Sequence, residues 1–208
     1  MNKMKDRKIH WETIYQTKKP ADVSWYQAKP ITSLNFISEL DMKKDAKIID
    51  IGAGESCLAD FLLEDGFSDL TILDISEEAL EHARLRLGKK AENLKWITSD
   101  ISNFVPKEKY DLWHDRAAFH FLTDETQVQN YLKTLENSIN PGGYVILGTF
   151  SEKGPVKCSG LEIKQYSIAE MSDLLSDSFQ KLHCENIDHI TPSGAIQNFT
   201  FCSFQKKS

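Results

Sequence analysis

Four short segments carry residue types that can do chemistry together. The first is Asp50-Ile51-Gly52-Ala53-Gly54-Glu55-Ser56, where two glycines let the backbone approach a ligand closely before a helix begins. The second ends at Asp74, twenty residues after Gly54, where a carboxylate can accept two hydrogen bonds from a ribose diol. The third, Ser99-Asp100-Ile101, places a carboxylate that can accept from an adenine amine. The fourth, His114-Asp115-Arg116, puts an imidazole, a carboxylate and a guanidinium on consecutive residues. Each has a purely structural alternative. Asp50 can close a turn, Asp74 can cap the following helix, and Asp100 can be the N-cap of a short turn. Asp115 and Arg116 can form a buried ion pair, and His120 can be a satisfied core histidine.

The elements that must position these segments are legible as an alternation. Lys47–Ile51 is a short β-branched run, and the apolar spacing of Leu58, Phe61 and Leu62 predicts a helix stopped at Gly66. Leu70–Asp74 reads as a second strand. Ser76 caps a helix with Glu77 and Glu78 in its first turn and Gly88 past its end. Leu94–Thr98 and Tyr110–His114 read as further strands, and a helix from about Asp124 repeats Val128, Tyr131, Leu135 and Ile139. Pro141-Gly142-Gly143 is expected to turn the chain into a fifth strand, Tyr144–Gly148. Ser167 and Glu170 form a capping-box pattern, and two strands, about 180–187 and 196–204, end the chain around a turn at Pro192-Ser193-Gly194. This order implies an α/β three-layer sandwich with a mostly parallel seven-stranded sheet ending in an antiparallel hairpin. In such sheets ligands bind beyond the carboxyl ends of the strands, and that is where all four segments fall.

Length and charge narrow the function. At 208 residues the chain is expected to be one domain, with residues 1–30 as a cap. Those residues carry Trp11, Tyr15, Trp25 and Tyr26 but show no long period; a helical face follows from Pro30. The net charge of -6 argues against a nucleic-acid or anionic-membrane partner, and no apolar run is long enough to span a bilayer. Cys57, Cys158, Cys184 and Cys202 form no C-x-x-C pair, so no metal site is expected and free thiols in a cytoplasmic protein are the simplest reading.

Taken in order, the four segments resemble the class I, Rossmann-like S-adenosylmethionine-dependent methyltransferases from about Lys47 onward. Ile48-Ile49-Asp50-Ile51-Gly52-Ala53-Gly54 resembles that family's first motif, and Pro141-Gly142-Gly143 the turn before its fifth strand. Ser56 stands where the family most often has a third glycine. A nicotinamide-binding fingerprint is nearly met as well, but Cys57 replaces its last small residue. His10-Trp11-Glu12, Ser24–Gln27, Trp113–Leu122 and Cys158–Leu161 are similar to a group of uncharacterised bacterial methyltransferases.

The resemblance implies S-adenosylmethionine as cofactor. Asp50, Gly52, Ala53, Gly54, Ser56 and His114 would surround its methionine end. Asp74 and Ile75 would serve the ribose, and Asp100 and Ile101 the adenine. Trp25 and Tyr26 would close over it, with aromatic faces toward the sulfonium. His114 or Asp115 would then orient or deprotonate the acceptor, and Arg116 would hold Asp115 or an anionic group. The expected acceptor is a small molecule; a protein lysine, and a non-catalytic or nicotinamide-binding protein, are the alternatives.

Overall fold

The computed structural model describes residues 3–207. The chain begins with α1 (Lys3–Thr17) and α2 (Ile31–Ser38). Then β1 (Lys47–Ile51), α3 (Leu58–Glu64), β2 (Asp69–Asp74), α4 (Glu77–Leu87) and β3 (Lys95–Thr98) alternate. β4 (Tyr110–Arg116), α5 (Glu125–Ser138) and β5 (Ile139–Phe150) follow. A small hairpin, β6 (Lys157–Cys158) and β7 (Leu161–Glu162), precedes α6 (Ile168–Leu175), and the chain ends on β8 (Phe179–Ile190) and β9 (Ile196–Lys206).

The main sheet has the order β3-β2-β1-β4-β5-β9-β8. β1 to β5 pair in parallel, and β9 runs antiparallel to both β5 and β8. The strand order reverses between β1 and β4, which opens a crevice at their carboxyl ends. Because helices cover both faces, the inner strands are apolar on both sides: Ile48, Ile49 and Ile51 of β1 are all buried. Leu112 and Ile146 pack with Phe36, Leu62 and Leu80 on one face. Trp113, Val145 and Leu147 pack with Tyr131 and Leu135 on the other.

Local signals set the helix starts. Ser76 Oγ accepts from Ala79 N at 3.2 Å, and Asp124 Oδ1 accepts from Thr126 N at 3.0 Å. Ser167 and Glu170 cap each other, with backbone-to-side-chain bonds of 3.2 and 2.8 Å.

Three features depart from the sequence reading. The N-terminal region is a fifteen-residue helix rather than an aperiodic segment. Its inward face, Arg7, Trp11 and Tyr15, recurs every four residues but mixes charge with aromatics, so no apolar stripe marks it. Pro141-Gly142-Gly143 lies within β5: Tyr110 pairs with Ile139 and Leu112 with Tyr144, so the three residues are a bulged excursion in the ladder. Third, the free-thiol expectation fails for two cysteines. The antiparallel register sets Cys184 opposite Cys202, and the two form a disulfide; Cys57 and Cys158 are free. Among the described residues, no helix is long and apolar enough to cross a membrane.

Candidate active site

Asp50 is the buried penultimate residue of β1, and its Oδ1 lies 2.7 Å from His114 Nδ1 across the β1–β4 pair. His114 Nε2 meets Ser33 Oγ of α2 at 2.9 Å, so both ring nitrogens are engaged. Beyond Ile51 the chain turns sharply. Gly52 and Gly54 both take positive φ, +62° and +53°, which an L side chain resists. A Cβ on Gly52 would come within 2.5 Å of Ala118 Cβ, and one on Gly54 would collide with the Tyr15 hydroxyl.

Asp74, at the end of β2, ties this loop to the next element. Its Oδ2 accepts from Gly54 N and its Oδ1 from Ser76 N, both at 2.8 Å. Burial pushes its pKa up to about 6, against the opposing pull of these amides. Asp100 follows β3, accepts from Ser102 N and Oγ at 2.9 and 2.8 Å, and pairs with Arg7 of α1 at 2.8 Å.

These tips surround one cavity of about 1220 Å³ including its open mouth. Asp50, Gly52, Ala53 and Ser56 line its β1 side, and Asp74, Ile75, Asp100 and Ile101 its β2–β3 side. His114 and Arg116 come from β4, and Trp25 and Tyr26 from the segment after α1. Of the sequence-derived candidates for cofactor contact, Gly54 alone does not line the cavity. It faces Tyr15 and holds Asp74 instead.

Asp115 requires a correction. It is fully buried on the opposite face of β4, away from the cavity. Its Oδ2 accepts from the Tyr131 hydroxyl at 2.7 Å, and its Oδ1 from the amides of Ala118 and Phe119 at 2.9 and 3.1 Å. Tyr131 in turn accepts from Trp113 Nε1 at 2.9 Å. Burial pushes the Asp115 pKa up to about 6. Alternation along a strand explains the result: neighbours 114, 115 and 116 cannot all point the same way. For the same reason the ion pair between Asp115 and Arg116 does not form. Arg116 turns toward the cavity, where its Nη1 donates to the Trp25 carbonyl at 3.0 Å.

Several contributors were not read from sequence. Glu12 of α1 accepts from Ser76 Oγ and from the amides of Glu77 and Glu78 at 2.7–3.2 Å, placing a carboxylate at the N-terminus of α4. Tyr15 lies buried over the glycine loop, and Trp11 packs edge-on against Trp25 and Phe121. The spacing 7, 11, 15 was the available signal.

The cavity fits an adenosine cofactor with a cationic centre. A glycine cradle without room for side chains, carboxylates beside it at Asp74 and Asp100, and a wall of Trp11, Trp25, Tyr26 and Phe121 are the required parts.

Comparison with known proteins agrees with this geometry. Residues 48–143 match the family described as "Methyltransferase domain". Malonyl-[acyl-carrier protein] O-methyltransferase 1 of Ilyobacter polytropus is 32% identical over 112 residues, which are 53% of this chain and 40% of that protein. The match thus spans about two fifths of that relative's length. The solved N-methyltransferase NodS from Bradyrhizobium japonicum, in complex with S-adenosylhomocysteine, superimposes with a TM-score of 0.70 at 14% identity, covering 96% of this chain and 100% of that one. The 1,6-didemethyltoxoflavin-N1-methyltransferase of Burkholderia thailandensis, solved with 1,6-didemethyltoxoflavin and S-adenosylhomocysteine, gives a TM-score of 0.71 at 15% identity over 99% of this chain and 87% of that one. Residues 48–143 thus carry the match to a methyltransferase domain, and the chain as a whole has the fold of these solved methyltransferases.

Proposed function

We propose that this domain transfers a methyl group from S-adenosylmethionine to a small-molecule acceptor, under a cap formed by residues 1–30. The observation that carries the reading is the convergence of the β1, β2, β3 and β4 tips on one cavity, with the glycine loop tied to Asp74 by the bond from Gly54 N. The named acceptors of the relatives differ from one another, so they support the reaction type. The small-molecule part rests on the cap, because Arg7, Glu12 and Tyr15 hold α1 across the cofactor side of the cavity.

When bound, S-adenosylmethionine supplies an electrophilic methyl group on a sulfonium. In this reading Asp74 receives the ribose diol, Asp100 the adenine amine, and Gly52 the close approach of the methionine end. His114 is a positioning residue: its two bonds tie Asp50 to Ser33 of α2 beneath the loop and engage both ring nitrogens. With Asp115 turned away as well, the site offers alignment and exclusion of water rather than a dedicated base. The acceptor atom is then one that is nucleophilic as it binds.

Thermal melting tests the reading. S-adenosylhomocysteine should raise the melting temperature and NADH should not; the reverse would overturn it. Labelled methyl donor should then mark the small-molecule rather than the protein fraction of a cell extract. Label in protein would move the acceptor to a lysine-type side chain.

A further inference from the structure

Arg116 closes β4 on the face that also carries Leu112 and His114. Its guanidinium lies 5.3 Å from the centre of the Phe199 ring, and Nη1 is satisfied by the Trp25 carbonyl. Nη2 is sealed from solvent and has no hydrogen-bond partner. No carboxylate among the described residues forms a salt bridge with it; Asp50, the acid whose charge it feels, is bonded to His114. The other groups electrostatically close to it carry no negative charge at neutral pH. Burial pushes the Cys158 thiol up to about 12 and pulls the His120 imidazole down to about 3, and His189 is also lowered. Arg116 itself is pulled down to about 10 by burial and is still a cation at neutral pH. Arg116 is half-buried, and a cation with one nitrogen sealed from water and no salt bridge is costly; such groups are kept paired unless a ligand completes them.

We propose that Arg116 is the recognition residue for a carboxylate on the methyl acceptor, so that the substrate class is a small monoanionic carboxylic acid. This rests on the methyltransferase reading above. The unpartnered Nη2 N–H groups suit a carboxylate oxygen, whose charge the guanidinium would balance. A dianion such as a phosphate monoester is disfavoured because Asp50, Asp74 and Asp100 line the same cavity.

The cofactor's own methionine carboxylate offers the same chemistry. Position in the sheet separates the two sources. The adenine, ribose and methionine candidates follow the order β3, β2, β1, and the next strand in that order is β4. Arg116 lies at the tip of β4 and meets Phe199 of β9, on the far side of the proposed methyl group.

The experiment uses the full chain with Arg116→Gln and Arg116→Lys, the second keeping a cation where the first fails to fold. S-adenosylhomocysteine and 5′-methylthioadenosine, which lacks the amino-acid tail, are each titrated against the melting temperature. On the complex saturated with S-adenosylhomocysteine, monocarboxylates from acetate to benzoate are compared with their primary amides and with methyl phosphate. At about a hundred times its dissociation constant, a binding carboxylate should raise the melting temperature by about 5–10 °C. Its amide should not. The shift should vanish in Arg116→Gln and survive in part in Arg116→Lys, while both variants still bind S-adenosylhomocysteine.

A panel in which no carboxylate acts overturns the proposal. So does one in which amides or methyl phosphate act equally, or one in which the shift survives Arg116→Gln. Loss of the S-adenosylhomocysteine response in Arg116→Gln, with 5′-methylthioadenosine still binding, would give the guanidinium to the cofactor. A wild-type protein that responds to neither nucleoside would instead overturn the methyltransferase reading.

Discussion

The two faces of β4 treat neighbouring polar residues in opposite ways. On the α5 face, Asp115 accepts three hydrogen bonds, and the chain Trp113–Tyr131–Asp115 is closed by its own members. On the other face, His114 is engaged at both nitrogens, but Arg116, one step nearer the cavity, keeps Nη2 unpartnered. Both sets are ionisable and contiguous in sequence, and all but the half-buried Arg116 are buried. What distinguishes them is completeness. A closed network fixes the strand tip in place, whereas an open valence inside a cavity is where a ligand completes the structure.

Removing Asp115 is the strongest way to break this comparison. Asp115→Ala leaves the Tyr131 hydroxyl and two buried amides without an acceptor. The expected loss is about 3 kcal/mol, or roughly 6–12 °C in melting temperature. The affinity of the folded protein for S-adenosylhomocysteine, measured by calorimetry well below the melting transition, should be unchanged. A variant that melts normally but no longer binds would reverse the assignment of the two faces.

Asp74 gives the next largest effect, this time on the ligand side. Asp74→Asn cannot offer two carboxylate oxygens to a diol while accepting from Gly54 N and Ser76 N. The dissociation constant for S-adenosylhomocysteine should rise roughly ten- to a hundredfold, the worth of one charge-assisted hydrogen bond. A pH series sharpens the point. With its pKa raised to about 6, Asp74 is ionised above that pH and protonated below it. The protonated form has a hydroxyl to donate and competes with the ligand's own donors. Affinity should therefore hold above pH 6 and weaken on acidification through it, by up to about tenfold per unit. In Asp74→Asn that pH dependence should be lost.

The division between what was legible and what was not follows the same line. The sheet could be read because β-branched runs, glycine stops and the caps at Ser76, Asp124 and Ser167 are local signals, each interpreted by its nearest neighbours. Placement of Asp50, Asp74 and Asp100 at strand tips came from the same signals plus the rule for open parallel sheets. Asp115 was misread because the direction of a side chain depends on strand register. The alternation in Leu112-Trp113-His114-Asp115-Arg116 is hidden when every position is buried or polar for a different reason. Cys184 and Cys202 illustrate the non-local case. They are eighteen residues apart, and only the pairing of β8 with β9 brings them together. The helical cap was hidden because α1 is held by scattered contacts, Arg7 at Asp100, Glu12 at the start of α4, and Trp11 and Tyr15 against Trp25 and the glycine loop, rather than by one apolar stripe.

That mode of attachment makes the cap the most delicate part of the comparison. It also carries the smallest single effect. Arg7 donates to Asp100 at 2.8 Å and to Ser102 Oγ at 3.1 Å, and both partners in the ion pair are mostly shielded. Arg7→Ala should cost about 1 kcal/mol or less, since Glu12 still anchors the same helix at the start of α4. Equilibrium affinity should change little, but S-adenosylhomocysteine should dissociate a few-fold faster in stopped-flow displacement, because one polar latch is gone while those of Glu12 and His10 remain. The decisive measurement is the Arg7→Ala/Glu12→Ala pair. If α1 opens as a unit, both latches must break in the same step, and the double variant should speed dissociation by about the product of the two single effects. A double variant no faster than the sum of the two singles would mean that the two ends of α1 move separately. The segment would then be ordinary packing beside the cavity rather than a cap over it.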